Sequence, residues 1–210
     1  MYWSKKDILN TNKIKRLNLI NSVSGTKSAN LIGTKSLTEK ENLAIFSSVV
    51  HLGSNPALLG FVLRPDKDVR RHTFENIIAT EFYTINSIHG SFIDKAHYTS
   101  AKFSMDESEF EKCKLESQYL NDFSAPFVKE SKLKMALKLQ EIVDIKINSC
   151  KLIIGSIEHL YVDDKAIEEN GQVNLQKLDT VAIGGLNSYY ELNQIGQFPY
   201  ARTSNLPDFD

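Results

Sequence analysis

The chain has 210 residues, of which 41% are apolar and 24% are charged, and its formal net charge at pH 7 is −1. These proportions are typical of a globular protein with a sizeable core, and the near-zero charge provides no basic field that would attract nucleic acid or an anionic membrane. No apolar run approaches the roughly 20 residues that a membrane-spanning helix needs, and residues 1–7 lack the apolar segment of a secretory signal. Cys113 and Cys150 lie in unlike contexts. We therefore expect reduced thiols in a cytoplasmic protein, with a disulfide as the minor alternative.

The hydrophobic pattern predicts a chain made mostly of strands. Residues 1–16 are polar and mixed, which indicates an N-terminal arm or a short helix packed at the edge of a single domain spanning 1–210. The run 57–63 is apolar nearly throughout and predicts a central strand buried on both faces. In 132–140, lysines alternate with apolar residues, which predicts a half-buried strand with a solvated lysine face. The predicted strands, in chain order, are 16–25, 29–35, 43–50, 57–63, 81–88, 132–140, 152–162 and 181–185.

Three helices are expected between these strands, at 73–80, 91–102 and near 107–115. Many short strands with helices inserted between them are typical of a closed antiparallel barrel. The predicted fold class is therefore mainly β with inserted helices.

The segment 42–48 provides the first half of a candidate ligand site. It ends in Phe46, Ser47 and Ser48, which offer an aromatic face, two hydroxyls and the backbone N–H groups of a strand end. A flat heterocycle needs this mixture of apolar wall and a few fixed polar contacts. The segment therefore indicates a site for a flat aromatic ligand.

The segment 64–76 provides the second half, suited to a phosphate. Thr73 is expected to cap the helix 73–80, whose first N–H groups and positive dipole end would attract an anion. Cationic donors precede it at Arg64, Lys67, Arg70 and Arg71. On these residues alone, an ordinary strand–loop–helix with a solvated basic turn remains an open alternative.

Segments along most of the chain carry a resemblance to a known family. They are Leu-Ile-Gly-Thr (31–34), Asn-Leu-Ala-Ile-Phe-Ser-Ser (42–48), Ser-Asn-Pro-Ala-Leu-Leu-Gly-Phe (54–61), Arg-Pro (64–65), His-Thr-Phe-Glu-Asn-Ile (72–77), Phe-Tyr-Thr-Ile-Asn (82–86), Ala-His-Tyr-Thr-Ser-Ala (96–101), Gly-Ser-Ile-Glu-His (155–159) and Gly-Gly-Leu-Asn-Ser-Tyr-Tyr (184–190). In this order and spacing, from about residue 31 to 202, the chain resembles the flavin reductase-like family of FMN-binding split barrels. One departure is Ile45, where many members carry proline.

The resemblance implies an antiparallel split β-barrel that binds FMN as a homodimer, with two flavin sites near the subunit interface. It implies an oxidoreductase, either an NAD(P)H-dependent flavin reductase or an FMN-dependent enzyme acting on a small organic substrate. A non-catalytic flavin carrier, store or sensor is the alternative, and no catalytic residue is assigned. The implied contacts are Phe46, Ser47 and Ser48 to the isoalloxazine, Thr73, Asn76, Arg64 and Lys67 to the phosphate, and Ser54 and Asn55 to the ribityl chain or ring edge.

Other motifs favour no competing chemistry. The five histidines show no metal-ligand spacing, no Gly-x-Ser-x-Gly elbow marks a hydrolase, and no Gly-x-Gly-x-x-Gly marks a Rossmann domain. Gly184 and Gly185 indicate a bulge or a close backbone approach. His97 has two open interpretations: it faces the flavin or substrate, or it is a helix histidine hydrogen-bonded at a dimer interface.

Overall fold

The computed structural model describes residues 1–65, 70–104 and 106–209. Its helices within these ranges are α1 (Lys5–Asn10), α2 (Lys13–Ser22), α3 (His72–Thr80), α4 (Ile93–Tyr98) and α5 (Glu109–Lys112). Its strands are β1 (Thr26–Ser28), β2 (Asn30–Lys35), β3 (Glu41–Phe46), β4 (Val50–Ser54), β5 (Ala57–Leu63), β6 (Phe82–Ser87), β7 (Ser117–Gln118), β8 (Phe127–Val128), β9 (Leu133–Ile145), β10 (Cys150–Val162), β11 (Val181–Gly184) and β12 (Ser188–Glu191). The predicted mainly β class with inserted helices is confirmed.

Seven strands form one antiparallel sheet in the order β3-β2-β6-β9-β10-β5-β4. Its first and last strands, β3 and β4, are consecutive in the chain and are joined by only three residues, 47–49. The Ser48 hydroxyl donates to the carbonyl of Val62 and accepts from its N–H, both at 3.1 Å. The sheet therefore curls until its two ends meet, and we call residues 46–48 the seam of this barrel.

The barrel interior is filled by one cluster of side chains from the seven-stranded sheet and α3. Its members include Ile32, Phe61, Tyr83 and Ile153, and α3 closes it with Phe74 and Ile77. Ile77 is fully buried, and burying a side chain of this size contributes about 1.5–3 kcal/mol to folding. This packing fixes α3 against the sheet.

A second cluster covers the opposite side of β2 and β3. Leu31 and Leu43 point away from the barrel interior and pack with residues of α4, α5 and β11. Because side chains alternate along a strand, these two strands are buried on both faces. β11 pairs with β1 and β12 in a separate three-stranded sheet, so the predicted strand at 181–185 forms but does not join the seven-stranded sheet of the barrel.

The predicted strand at 16–25 is also wrong, because α2 occupies most of it. Asn12 caps this helix, its side-chain oxygen accepting from the N–H groups of Ile14 and Lys15. Neither α1 nor α2, both wholly within the described residues, contains a buried residue. A helix that packs so little leaves a weak periodic signal, which explains the misassignment.

Two further expectations need correction. The run 57–63 forms β5, which lies next to the sheet edge rather than at its centre, and its residue Val62 is only half-buried. The lysine face of β9 is not fully solvated, since Lys134 is buried and donates to Gln118 Oε1 at 2.9 Å and to the Lys129 carbonyl at 3.1 Å. Burial lowers the pKa of Lys134. The segment carrying β7 and β8 covers this side of β9, a contact that the local alternation could not reveal.

Tyr83 has a buried hydroxyl without a hydrogen-bond partner among the described residues. It faces Gly155, where an added Cβ would lie 2.2 Å from the Tyr83 oxygen. Burial raises the pKa of Tyr83, so the group stays neutral.

We expect Tyr83→Phe to raise the free energy of unfolding by about 1 kcal/mol, because it removes an unpaired buried polar group and leaves the ring in place. Urea denaturation measures this. The control is Tyr161→Phe, which loses a 3.0 Å bond to Asn121 Oδ1 and should gain nothing. A destabilised Tyr83→Phe protein would show that the hydroxyl has a partner after all.

Candidate active site

The seam presents the predicted aromatic wall. Phe46 is half-buried and packs edge-on against Phe61, with ring centroids 4.9 Å apart and planes at 67°. Ser47 beside it is also half-buried. The Ser48 hydroxyl is held by the Val62 backbone, so it fixes the seam and offers only its remaining lone pair to a ligand.

A path along β3 links the seam to α3. Asn42, Ala44 and Phe46 lie on the same face of the strand because side chains alternate. At about 3.3 Å per residue, Asn42 and Phe46 are about 13 Å apart. Only the small side chain of Ala44 lies between them, and this residue is half-buried. An extended ligand along β3 would therefore pass over a small side chain.

The N-terminus of α3 lies at the Asn42 end of this path. Its flanking residue is Arg71, and no side chain of the described residues caps it. The helix's own backbone bonds begin where Phe74 and Glu75 both donate to the Arg71 carbonyl, at 2.9 and 3.0 Å. The N–H groups of His72 and Thr73 precede these bonds, which leaves a site for an anion. Thr73 is thus the second helical residue, and its prediction as the N-cap is wrong.

Thr73 and Asn76 point from α3 towards the sheet. The Asn42 amide donates to Thr73 Oγ1 and the Asn76 amide donates to Thr34 Oγ1, both at 3.1 Å. Thr34 and Asn42 are themselves cross-strand partners. Through these contacts the four buried side chains connect α3 to β2 and β3. The Thr73 hydroxyl accepts the Asn42 bond and still has its own proton to donate to a ligand.

The basic residues before α3 have different roles in the structure. Arg64 is exposed and directly follows β5. It lies two residues after Val62, whose backbone binds the Ser48 hydroxyl. Arg70 pairs with both oxygens of Glu75, which raises the pKa of Arg70. Arg71 donates weakly to the Pro65 carbonyl, at 3.4 Å from two of its nitrogens. Lys67 lies outside the described residues.

Ser54 and Asn55 are not brought to the seam within one chain. They lie at the exposed turn between β4 and β5, six and seven residues beyond Ser48. At about 3.3 Å per residue this separation is roughly 20 Å. Among the predicted flavin contacts that the structure describes, these two stand at the opposite end of the β4–β5 hairpin.

With this geometry in view, comparison with known proteins identifies the class. Residues 26–178 match the family model described as the flavin reductase like domain. The chain belongs to this family. A structure from Shewanella frigidimarina NCIMB 400, provisionally assigned as a flavin reductase with a split-barrel domain, is 49% identical, with a TM-score of 0.92 over 96% of this chain and all of that one. The predicted split barrel is therefore confirmed.

Two more distant structures show the same fold at low identity. Nitrilotriacetate monooxygenase component B from Bacillus cereus is 18% identical, covering 94% of this chain and 98% of that one, with a TM-score of 0.82. An FMN-binding protein from Thermus thermophilus with bound 1-cyclohex-2-enone is 13% identical, covering 83% and 91%, with a TM-score of 0.68. Membership of the family supports a flavin cofactor and oxidoreductase chemistry.

Sequence reasoning missed several polar groups that shape the site of this flavin reductase-like chain. Thr34 and Asn42 hold α3, and their only signal is a polar residue at an inward position of an otherwise apolar strand. Glu109 is buried and accepts from the Leu43 N–H at 2.9 Å, which ties α5 to the residue after Asn42. Burial raises the pKa of Glu109, and the Leu43 bond opposes this. Glu109 lies too far along the sequence for the contact to be predicted.

His97 contacts Tyr189 of its own chain. Its Nδ1 lies 3.1 Å from the Tyr189 hydroxyl, and burial raises the pKa of Tyr189 to about 12. The pair joins α4 to β12. Gly184 in β11 lies under Tyr190, where an added Cβ would be 2.8 Å from the ring, so the glycine makes room for a side chain.

Metal-ligating clusters and membrane-spanning helices are both absent from the part of the chain that the structure describes. No group of three or more His, Cys, Asp or Glu residues in that part of the chain is placed to hold a metal ion. Among the helices there, none is long and apolar enough to cross a membrane.

Proposed function

We propose that this chain binds FMN along β3, with the isoalloxazine against the seam and the phosphate at the N-terminus of α3. The observation that carries the proposal is the uncapped α3 N-terminus at one end of the Ala44 path and the half-buried Phe46 ring at the other. The amides of His72 and Thr73 would bind phosphate oxygens, with Arg64 adding charge. The Thr73 hydroxyl would donate a further bond.

The residues present fit a flavin phosphate and an aromatic ring, so the chain's own contribution can be stated. Phe46 and Ser47 would position the ring, and the Ser48–Val62 bonds would hold the seam rigid. Bound FMN supplies the redox chemistry, while the protein provides orientation, polarity and access. We propose that NADH or NADPH delivers the electrons, and that the acceptor is free flavin or a small organic molecule.

The proposal includes the setting of the protein. We propose one domain that forms a homodimer in the cytoplasm. Cys113 and Cys150 are both free, which suits a reducing compartment.

The function is tested by measuring the oxidation of NADH and of NADPH in the presence of added FMN. The decrease in nicotinamide absorbance reports the reaction. We expect turnover with at least one of the two nicotinamides. Bound FMN that stays oxidised with both would instead favour the non-catalytic carrier, store or sensor.

We expect Arg64→Ala to weaken FMN binding by about tenfold at low salt and by less at high salt, because an exposed charge is screened by ions. Fluorescence titration at two ionic strengths measures this. The control is Lys132→Ala, which should leave the affinity unchanged. Lys132 is an exposed cation that directly precedes β9 and is not at the seam. An unchanged affinity in Arg64→Ala at both salt concentrations would remove this residue from the phosphate site.

A further inference from the structure

The C-terminal segment 192–209, which we call the tail, follows β12 and contains only a short turn at Thr203–Asn205. Its large apolar side chains are mostly exposed: Ile195 (96%), Phe198 (89%), Tyr200 (86%), Leu206 (66%) and Phe209 (81%). The tail's few hydrogen bonds include Gln194 N–H to Gln176 Oε1 at 3.2 Å. Five such side chains leave apolar surface in water, and burying them against another surface is favourable. The tail is therefore a candidate to bind a surface outside its own chain's fold.

A surface of matching character lies on the outside of β4, β5, β10 and β9. The register pairs Val62 with Leu152 and Leu152 with Val143, so these three form a row on one face. An added Cβ at Gly60 would lie 2.9 Å from the end of Leu52 and 3.1 Å from the end of Leu152, so these two leucines meet over the glycine on the same face. We call this surface the outer face; its apolar members are Val50, Leu52, Val62, Val143, Leu152 and Ile154.

The outer face is open to solvent although the residues behind it are not. Val50, Leu52 and Val143 are 44%, 43% and 40% exposed, whereas Phe61 and Ile153 on the opposite side of the same strands are fully buried. Contiguous exposed apolar side chains on one sheet face make it a candidate contact surface.

We propose that the tail of one copy binds the outer face of a second copy, and that the second tail binds the first copy in return. Large side chains bury about 150 Å² or more each, so the two tails together remove on the order of 1,500 Å² from water, which is the size of a stable interface. A two-fold symmetric exchange satisfies both apolar surfaces at once. The inference rests on the homodimer of the proposed function and names the segment and the surface that form it.

The exchange bears on the flavin site. Val62 belongs to the outer face, and its backbone holds Ser48 at the seam. A tail lying on this face would contact Val62, so its binding would be coupled to the residue that holds the partner's seam.

The experiment compares the intact chain with two variants by light scattering. One variant ends at Asn193, and the other is Leu52→Glu, which places a charge on the outer face without touching the buried core. Each should raise the dimer Kd by about 100-fold or more, because the tail or its receiving surface is lost. Leu37→Glu is the matched control: Leu37 is 75% exposed in the turn between β2 and β3, away from the outer face, and the variant should remain dimeric.

Mixing the two variants distinguishes tail exchange from an indirect effect of either change on dimer formation. The truncated chain keeps its outer face, and the Leu52→Glu chain keeps its tail, so immobilised truncated chain should retain Leu52→Glu chain. Immobilised Leu52→Glu chain should retain far less of itself. A truncated chain that stays dimeric, or a mixture that does not associate, overturns the proposal.

The flavin proposal is judged separately. An intact chain that is monomeric but binds FMN would overturn the exchange and leave the flavin site standing. A tail-dependent dimer that binds no FMN would support the exchange and refute the flavin proposal.

Discussion

Gly33→Ala is expected to lower the free energy of unfolding by about 3 kcal/mol or more, because the site has no room for a methyl group. An added Cβ would lie 2.2 Å from the Pro126 carbonyl oxygen and 2.7 Å from Thr84 Oγ1. That carbonyl is held in place by the Thr84 hydroxyl at 2.6 Å. Backbone, rather than a flexible side chain, must therefore move.

Urea denaturation of the purified variant, or its soluble yield if it does not fold, measures the effect. Gly53→Ala in β4 is the control, since its nearest neighbour, the Pro56 carbonyl oxygen, would be 3.3 Å away. We expect it to cost less than about 1 kcal/mol. Equal stability of the two variants would contradict the close contact between Gly33 in β2 and the Pro126 carbonyl just before β8.

Thr73→Val is expected to weaken FMN binding by about 10- to 100-fold while affecting riboflavin much less. A hydrogen bond to a charged group contributes about 1.5–3 kcal/mol, and only FMN carries a phosphate to receive it. Isothermal titration with both flavins gives the two ratios. Equal weakening of both flavins would place the phosphate elsewhere.

The Thr73 variant needs a control because its hydroxyl also accepts from Asn42. Valine leaves that buried amide unpaired, which lowers the stability by about 1–3 kcal/mol independently of any ligand. Thr73→Ser keeps the hydroxyl and should bind FMN nearly as well as the unchanged protein. The thermal midpoint of each variant separates lost stability from lost phosphate contact.

The sequence was most informative where local pattern and tertiary contact agree. Antiparallel β9 and β10 and the helix at 72–80 follow from their periodicity, and the order of the flavin reductase-like segments indicated the barrel. The pattern failed where remote residues decide the outcome. Lys134 is buried because β7 and β8 lie over it, and 13–22 is a helix whose packing left almost no periodic signal.

The candidate site divides in the same way. The aromatic wall at Phe46 and a helix beginning close to Thr73 were predictable from residue type and position. The role of Ser48 was not, because its hydroxyl is used by the Val62 backbone once the sheet has closed. Nor was the placement of Ser54, which depends on the length of β4 rather than on any property of the turn.

The central claim is a stable FMN site along β3, and the visible absorption spectrum of the protein tests it most directly. Freshly purified protein should be incubated with FMN or with riboflavin and then desalted. We expect flavin bands to stay with the protein after FMN and to be largely lost after riboflavin, because the proposed phosphate site at the α3 N-terminus has no group to bind in riboflavin. A protein that retains neither flavin, or both equally, would contradict the account.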